Sequence, residues 1–145
     1  MISYRKACDA DIPDLVKLCK ECVAEVWSER AFKSELEKGS AVIKAVDDGK
    51  IVGFGVLEKS LDFGYLHLLA VADGYRRQGI AKLILELLHN EAKGDNIYNI
   101  LLEVRCSNEG AISLYKVMDY KVIACRKGFY SSPAEDGFTM QKELK

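Results

Sequence analysis

No stretch of this chain approaches the roughly 18 consecutive apolar residues that a membrane-spanning helix needs. Nor does the amino terminus, Met1-Ile2-Ser3-Tyr4-Arg5-Lys6, carry the apolar core of a secretory leader; it runs straight into an alternating segment. An excess of either charge is missing as well. The 21 basic and 22 acidic residues leave a net charge of -1, which argues against nucleic acid or a membrane surface as a partner. Repeats, linkers and low-complexity tracts are absent. Histidine is scarce: His67 and His89 are the only two, and both lie far from Cys19-Lys20-Glu21-Cys22. Without a second cysteine pair the ligand set of a zinc site is incomplete. With no preceding strand to place a thiolate at a helix N-terminus, a redox role lacks its usual activation. Cys19 and Cys22 are therefore read as core packing and no metal is expected. The five cysteines are expected to be reduced thiols of a cytoplasmic protein.

What is present fits one domain over residues 1–145, with 49% apolar and 30% charged residues. Residues 2–5 alternate like a short strand. An acidic cap, Asp9-Ala10-Asp11, precedes Pro13, which a first helical turn tolerates. Ile12, Leu15, Val16, Cys19, Cys22, Val23 and Val26 then share one helical stripe. Ser28 can cap a second helix that runs to Glu37 and closes at Gly39. Residues 41–46 and 51–57 read as strands joined by a hairpin at Asp47-Asp48-Gly49-Lys50. The nearly all-apolar residues 63–72 predict a strand buried on both faces. From Gln78 the period becomes helical, with Ile80, Leu83, Ile84, Leu87 and Leu88 inward and Lys82, Glu86, His89 and Lys93 outward. A strand over 97–104, a helix opening near Ser107-Asn108, and strands over 121–125 and 138–142 complete the chain, with a looser stretch over 128–137. The order β-α-α-β-β-β-α-β-α-β-β predicts one mixed α/β sheet, mostly antiparallel, with helices on both faces.

One segment carries chemistry: Leu69-Ala70-Val71-Ala72-Asp73-Gly74-Tyr75-Arg76-Arg77-Gln78-Gly79-Ile80-Ala81-Lys82. A buried strand ends, a basic turn follows, and small residues open an amphipathic helix. The unpaired N–H groups and partial positive charge of a first helical turn attract anions. Gly79 and Ala81 keep bulk away, so phosphate oxygens can approach the backbone. Arg76, Arg77 and Lys82 add full charge. Neither the GxxxxGK[ST] frame nor GxGxxG is present. A diphosphate site and a solvated helix start with basic decoration both remain open on this evidence.

Arg76-Arg77-Gln78-Gly79-Ile80-Ala81 resembles the [R/Q]-x-x-G-x-[G/A] acetyl-CoA loop of the GNAT acetyltransferase superfamily, and the order of elements resembles that fold. Leu102-Glu103-Val104-Arg105-Cys106-Ser107-Asn108-Glu109-Gly110-Ala111-Ile112-Ser113-Leu114-Tyr115 resembles the LEVRxSNxxAxxLY block of ribosomal-protein-alanine N-acetyltransferases. Trp27-Ser28-Glu29 with Phe32 resembles that family's PWSExxF motif. Arg126-Lys127-Gly128-Phe129-Tyr130 and Glu135-Asp136 resemble its RxxYY and ED motifs. Val26 stands in place of the family's Pro, Ala72-Asp73-Gly74 in place of Asp-Pro, and Met118-Asp119-Tyr120 in place of Leu-Gly-Phe. Asp119 must then accept a left-handed conformation.

The resemblance implies an acetyl-CoA-dependent N-acetyltransferase acting on a peptide α-amine, the natural target being the N-terminal Ala of a small-subunit ribosomal protein. Leu69, Ala70 and Val71 would pair with the pantetheine arm. The amides of Arg77, Gln78, Gly79, Ile80, Ala81 and Lys82 would hold the pyrophosphate, Arg76 would add charge at the rim of the cofactor site, and Asn108 would contact the cofactor near its thioester. Glu103 would be the general base and Tyr115 the general acid. On the residues alone, Glu103 reads equally as a strand-end charge paired with Arg105, and Tyr115 as a core aromatic. No acid lies between Gly64 and Ala72, a strand that offers only Tyr65 and His67, and His67 stands as a reserve base. Two rivals use the same scaffold: acetylation of a small-molecule amine, favoured by an acidic acceptor groove, and a non-catalytic acyl-CoA-binding module, disfavoured by an intact Glu103 and Tyr115.

Overall fold

The computed structural model describes residues 1–23 and 25–145. Its elements run β1 (Ile2–Lys6), α1 (Ile12–Cys22), α2 (Glu29–Glu37), β2 (Ala41–Asp47), β3 (Lys50–Lys59), β4 (Gly64–Val71), α3 (Ile80–Gly94), β5 (Asn99–Arg105), α4 (Glu109–Val117), β6 (Lys121–Tyr130) and β7 (Glu135–Glu143). This is the order that periodicity predicts. The strands make one sheet, β1-β2-β3-β4-β5-β7-β6. Every neighbouring pair is antiparallel except β4 and β5, which run parallel.

Two apolar layers hold the helices to the sheet. On one face, Ile12, Leu15, Leu18 and Cys19 of α1 and Phe32 of α2 pack on Val42, Phe54, Val56, Leu68 and Ala70. Ser28 caps α2, its Oγ accepting from the Ala31 amide at 3.1 Å. On the other face, Ile80, Ile84, Leu85, Leu88 and Ala92 of α3 and Tyr115 of α4 pack on Val52, Leu66, Leu102 and Val104. Gly55 lets α3 come close. A Cβ there would sit 2.8 Å from Leu88 Cδ1 and 2.9 Å from Ile84 Cγ2.

Four details depart from the periodicity. Helix α1 ends at Cys22, so Val23 and Val26 lie beyond the stripe. Strands β6 and β7 pair as far as Tyr130 and Glu135, with an irregularity after Arg126, so most of 128–137 is hairpin rather than loose chain. Strand β4 alternates buried and half-buried residues instead of being buried throughout, with Tyr65, His67, Leu69 and Val71 half-buried. Finally, His89 is not on the outer face of α3. Its ring is buried, and Nε2 lies 2.7 Å from the Tyr120 hydroxyl. One polar residue on a wide apolar stripe passes for surface when its partner lies 31 positions away.

Burial, with the nearby Lys142 and Lys93 charges, lowers the His89 pKa to about 4. Between that value and the ordinary value of about 6.5 the unfolded chain binds a proton that the folded chain does not. Stability is therefore complete above about pH 6.5 and is lost as pH falls toward 4. Of the unfolding free energy lost between pH 7 and pH 4.5, about 2 kcal/mol should be absent in His89→Gln, which keeps a partner for Tyr120. Urea unfolding at the two pH values measures this, and equal losses in both proteins would refute it.

Candidate functional site

The parallel pair β4–β5 is joined only at Gly64↔Ile100 and Tyr65↔Leu101. Beyond these residues β4 stays with β3 and β5 stays with β7, and a wedge opens between them. The Ala72 amide donates to the Val52 carbonyl at 2.8 Å. This fixes the phase of the antiparallel ladder: residues 70 and 72 turn their backbone groups to β3, while Leu69 and Val71 turn theirs to the wedge. A bulge contributes. Leu57 faces Leu66 but Val56 faces Leu68, so His67 is the extra residue.

On the α3–α4 side the wedge widens into a cavity of about 680 Å³. It is lined by Leu69, Ala70 and Val71, by Arg76, Arg77, Gly79, Ile80, Ala81 and Lys82, and by Asn108 and Tyr115, together with Cys22 and Tyr75. Of the expected cofactor residues only Gln78 is off the wall; its side-chain amide donates to the Gly74 carbonyl at 3.5 Å. Arg76 turns back on its own loop, Nε donating to the Val71 carbonyl at 3.2 Å and the guanidinium pairing with Asp73. Cys22 donates to the same carbonyl at 3.5 Å; it lines the cavity while packing, half-buried, against the core cluster in which Cys19 is fully buried. Arg77 (φ 64°) and Gly79 (φ 80°) are left-handed, curling the loop as anion-binding nests do. No side chain caps α3, so the amides of Ile80, Ala81 and Lys82 stay available to a ligand. A Cβ on Gly79 would meet nothing within 4 Å and would enter open space. Loop, helix terminus and exposed strand edge together fit an extended pyrophosphate-bearing molecule.

On the opposite face the wedge carries Glu103. Ile100, Leu102 and Val104 point into the α3–α4 core, so Glu103 points the other way. Its Oε1 accepts a hydrogen bond from the Tyr65 hydroxyl, and Oε2 accepts from Thr139 Oγ1 at 2.7 Å. Burial and the adjacent Glu103 push the Tyr65 phenol well above its ordinary range. Tyr65 and Thr139 are functional neighbours that sequence reasoning missed; the cross-strand partner of Glu103 is visible only once β5 and β7 are paired. Arg105 is not the partner of Glu103. Its guanidinium reaches Glu25 at 3.3 Å, Glu135 at 3.2 Å and the Pro133 carbonyl at 2.9 Å, and lies 4.4 Å over the Tyr130 ring. Glu135 also takes the Ser107 amide at 2.7 Å, a bond that with Arg105 holds its carboxyl below the usual range. Burial, with Glu103 nearby, pushes the Tyr130 phenol up to about 12.

His67 packs its ring 4.8 Å from that of Tyr65 and hydrogen-bonds elsewhere. Its Nε2 is 2.6 Å from Glu58, within a cluster where Lys38 bridges Glu35 and Glu58 at 2.9 and 3.2 Å. Trp27 packs at 5.3 Å from both the Phe32 and His67 rings. Tyr115 is buried on the cavity side with its ring 5.6 Å from Tyr120, and burial raises its pKa so that the phenol keeps its proton. Asn108 caps α4, Oδ1 accepting from the Ala111 amide at 3.2 Å. A larger depression of about 880 Å³, among Glu86, His89, Lys93, Lys121 and Lys142, shares no residue with the wedge and has walls of both charges.

The Acetyltransferase (GNAT) family model matches residues 10–120. The chain belongs to the GNAT acetyltransferase family. It is 31% identical over 127 residues to the [Ribosomal protein bS18]-alanine N-acetyltransferase of Escherichia coli K12, spanning 88% of this chain and 84% of the relative. It is also 31% identical over 158 residues to an N-alpha-acetyltransferase of Saccharolobus solfataricus, spanning 98% and 93%. The crystal structure of the Escherichia coli ribosomal-protein-S18-alanine N-acetyltransferase superposes with a TM-score of 0.91 at 27% identity, covering 100% of this chain and 95% of that one. The protein is thus an acetyl-CoA-dependent N-acetyltransferase with the GNAT fold.

For a GNAT enzyme the cavity has a direct test. Acetyl-CoA should raise the melting temperature progressively as its concentration exceeds Kd. Gly79→Val should abolish that rise, because a β-branched residue is strained at φ 80° and its side chain enters the space phosphate needs. Lys82→Ala should only weaken it. Equal ligand-induced shifts in wild type and Gly79→Val would remove the loop from the cofactor site.

Proposed function

We propose that the enzyme acetylates the α-amine of a peptide chain, its natural target being the N-terminal Ala of a small-subunit ribosomal protein. The observation that carries this reading is a carboxylate, Glu103, held by two hydroxyls on one side of the wedge while Tyr115 lines the cofactor cavity on the other. The relatives from Escherichia coli, a ribosomal-protein-alanine N-acetyltransferase, and from Saccharolobus solfataricus, an N-alpha-acetyltransferase, support the peptide acceptor. Acetyl-CoA supplies an activated acetyl thioester. The backbone of Leu69 and Val71 would hold its pantetheine arm as an added strand, and the amides of residues 77–82 would hold its pyrophosphate. Asn108, with its carbonyl engaged in the cap, would offer its NH₂ near the thioester.

Glu103 then acts as the general base. Burial and Glu103 both raise the Tyr65 pKa, so it does not stand deprotonated; it would relay only in concert, taking a proton from the amine or an intervening water as it gives its own to Glu103, and ending protonated. Tyr115 likewise stays protonated and donates to the thiolate as that leaves. The acceptor's main chain would lie between the segment bearing Trp27 and the β6–β7 hairpin bearing Tyr130, which Arg105 ties together.

An α-amine has a pKa of about 7.7–8.0 and a lysine about 10.4, so a lysine acceptor demands ~3.5 kcal/mol more for deprotonation. Peptides with a free Ala terminus should be acetylated, and the same peptides blocked at that terminus should not react despite internal lysines. Fragment-ion mass spectrometry checks this, and label on lysine overturns it.

The two proposed roles separate kinetically. Glu103→Gln should lower kcat by on the order of 10²–10⁴ with cofactor binding intact, and its residual rate should climb with pH as free amine accumulates. Tyr115→Phe keeps the ring and should strike kcat rather than KM, with a smaller defect on a thioester of lower thiol pKa. Normal turnover in Tyr115→Phe would leave Tyr115 as packing alone.

A further inference from the structure

Behind Glu103 lies a polar chain that the proposed steps do not use. Thr139 sits directly opposite Glu103 in the β5–β7 register and is 3% exposed. A threonine hydroxyl has one proton to give. Arg126 Nε, on β6, donates to Thr139 Oγ1 at 3.0 Å, and Oγ1 lies 2.7 Å from Glu103 Oε2. With the guanidinium occupying an acceptor position of the hydroxyl, the single Thr139 proton is directed at the carboxylate. Tyr65 fixes the other oxygen. A glutamate's terminal torsion is otherwise broad, so two donors on two oxygens set the plane of the carboxylate.

We propose that Thr139 and Arg126 are positioning residues for Glu103, relaying an orienting hydrogen bond from the guanidinium on β6 through β7 to the carboxylate on β5. The proposal rests on the reading of Glu103 as the base. It makes Arg126 a contributor to turnover although it touches neither acceptor nor cofactor in that reading. Hydrogen bonds to charged groups are stronger than neutral ones and cooperate when chained, so losing the inner link should cost more than losing the outer one.

Thr139→Val is nearly isosteric and suits a strand, and it leaves the exposed Arg126 free to find water. Its kcat should fall by about 10- to 100-fold, with KM for the peptide and Kd for acetyl-CoA within about twofold of wild type. Thr139→Ser, which keeps the hydroxyl, should recover turnover to within about threefold of wild type. Arg126→Met should lower kcat by roughly 3- to 10-fold. The deciding measurement is a double-mutant cycle. Added to Glu103→Gln, Thr139→Val should change the remaining rate by less than about twofold, because the group it positions is already gone. A full additional loss in the Glu103→Gln background, or no rescue by serine, would overturn the relay while leaving the base in place. Full turnover in Glu103→Gln alone would remove the base reading and the relay with it.

Discussion

The site depends on a strand pairing that stops early. A parallel ladder joins β4 to β5 for two residue pairs, and each strand then follows its antiparallel neighbour instead. Strand β5 is committed to β7 along its whole length, from Asn99↔Glu143 to Arg105↔Gly137. The unpaired edge of β4 would be a liability anywhere else. Here it faces a cavity whose floor is the open start of α3, and in the proposed reading the backbone groups left free along it would be the template for an extended ligand, while Arg76 and Cys22 already engage the Val71 carbonyl. The bulge at His67 sets which residues face the gap, since the extra residue reverses the alternation and puts Tyr65 and Leu68 on one face with Leu66 and Leu69 on the other.

Arg105 closes the Glu103 side of the same wedge. It gathers Glu25 from the segment after α1 and Glu135 and Tyr130 from the β6–β7 hairpin, with 14% of its side chain exposed. Asp136 holds the hairpin from within, Oδ1 accepting from the Gly128 amide at 2.8 Å. The acidic pair Glu135-Asp136 therefore shapes the loops around the wedge. In the sequence it is indistinguishable from a catalytic pair, because spacing reports neither where a carboxylate points nor what already neutralises it.

Local chemistry explains what could be read in advance. The order of elements follows from period changes, from Ser28 as a cap, and from Asp48-Gly49 and Asp119 as left-handed positions. The loop expected to hold the cofactor stands out because a strand, small residues and a helix start are contiguous, and nearly all of its residues line one cavity. The missed partners within the site and core span strands or helices distant in sequence. Thr139 is 36 positions from Glu103, Tyr65 is 38 away, and His89 hides its partner in Tyr120.

Charge balance on the Glu103 face narrows the chemistry further. Glu35 and Glu58 share Lys38 and His67, Glu25 and Glu135 share Arg105, and Asp11 has Lys44. Among the described residues Glu103 has no cation within 4.0 Å; its partners are neutral hydroxyls. A carboxylate locked in an ion pair has its charge compensated and its lone pairs occupied, so proton uptake works against the partner's field. A carboxylate held by hydroxyls is oriented without being neutralised, and the attraction it exerts on a proton is directed into the wedge. In the proposed reading that difference, more than the number of acids nearby, would make Glu103 the base of this face, and a single amine a better fit there than a polycation.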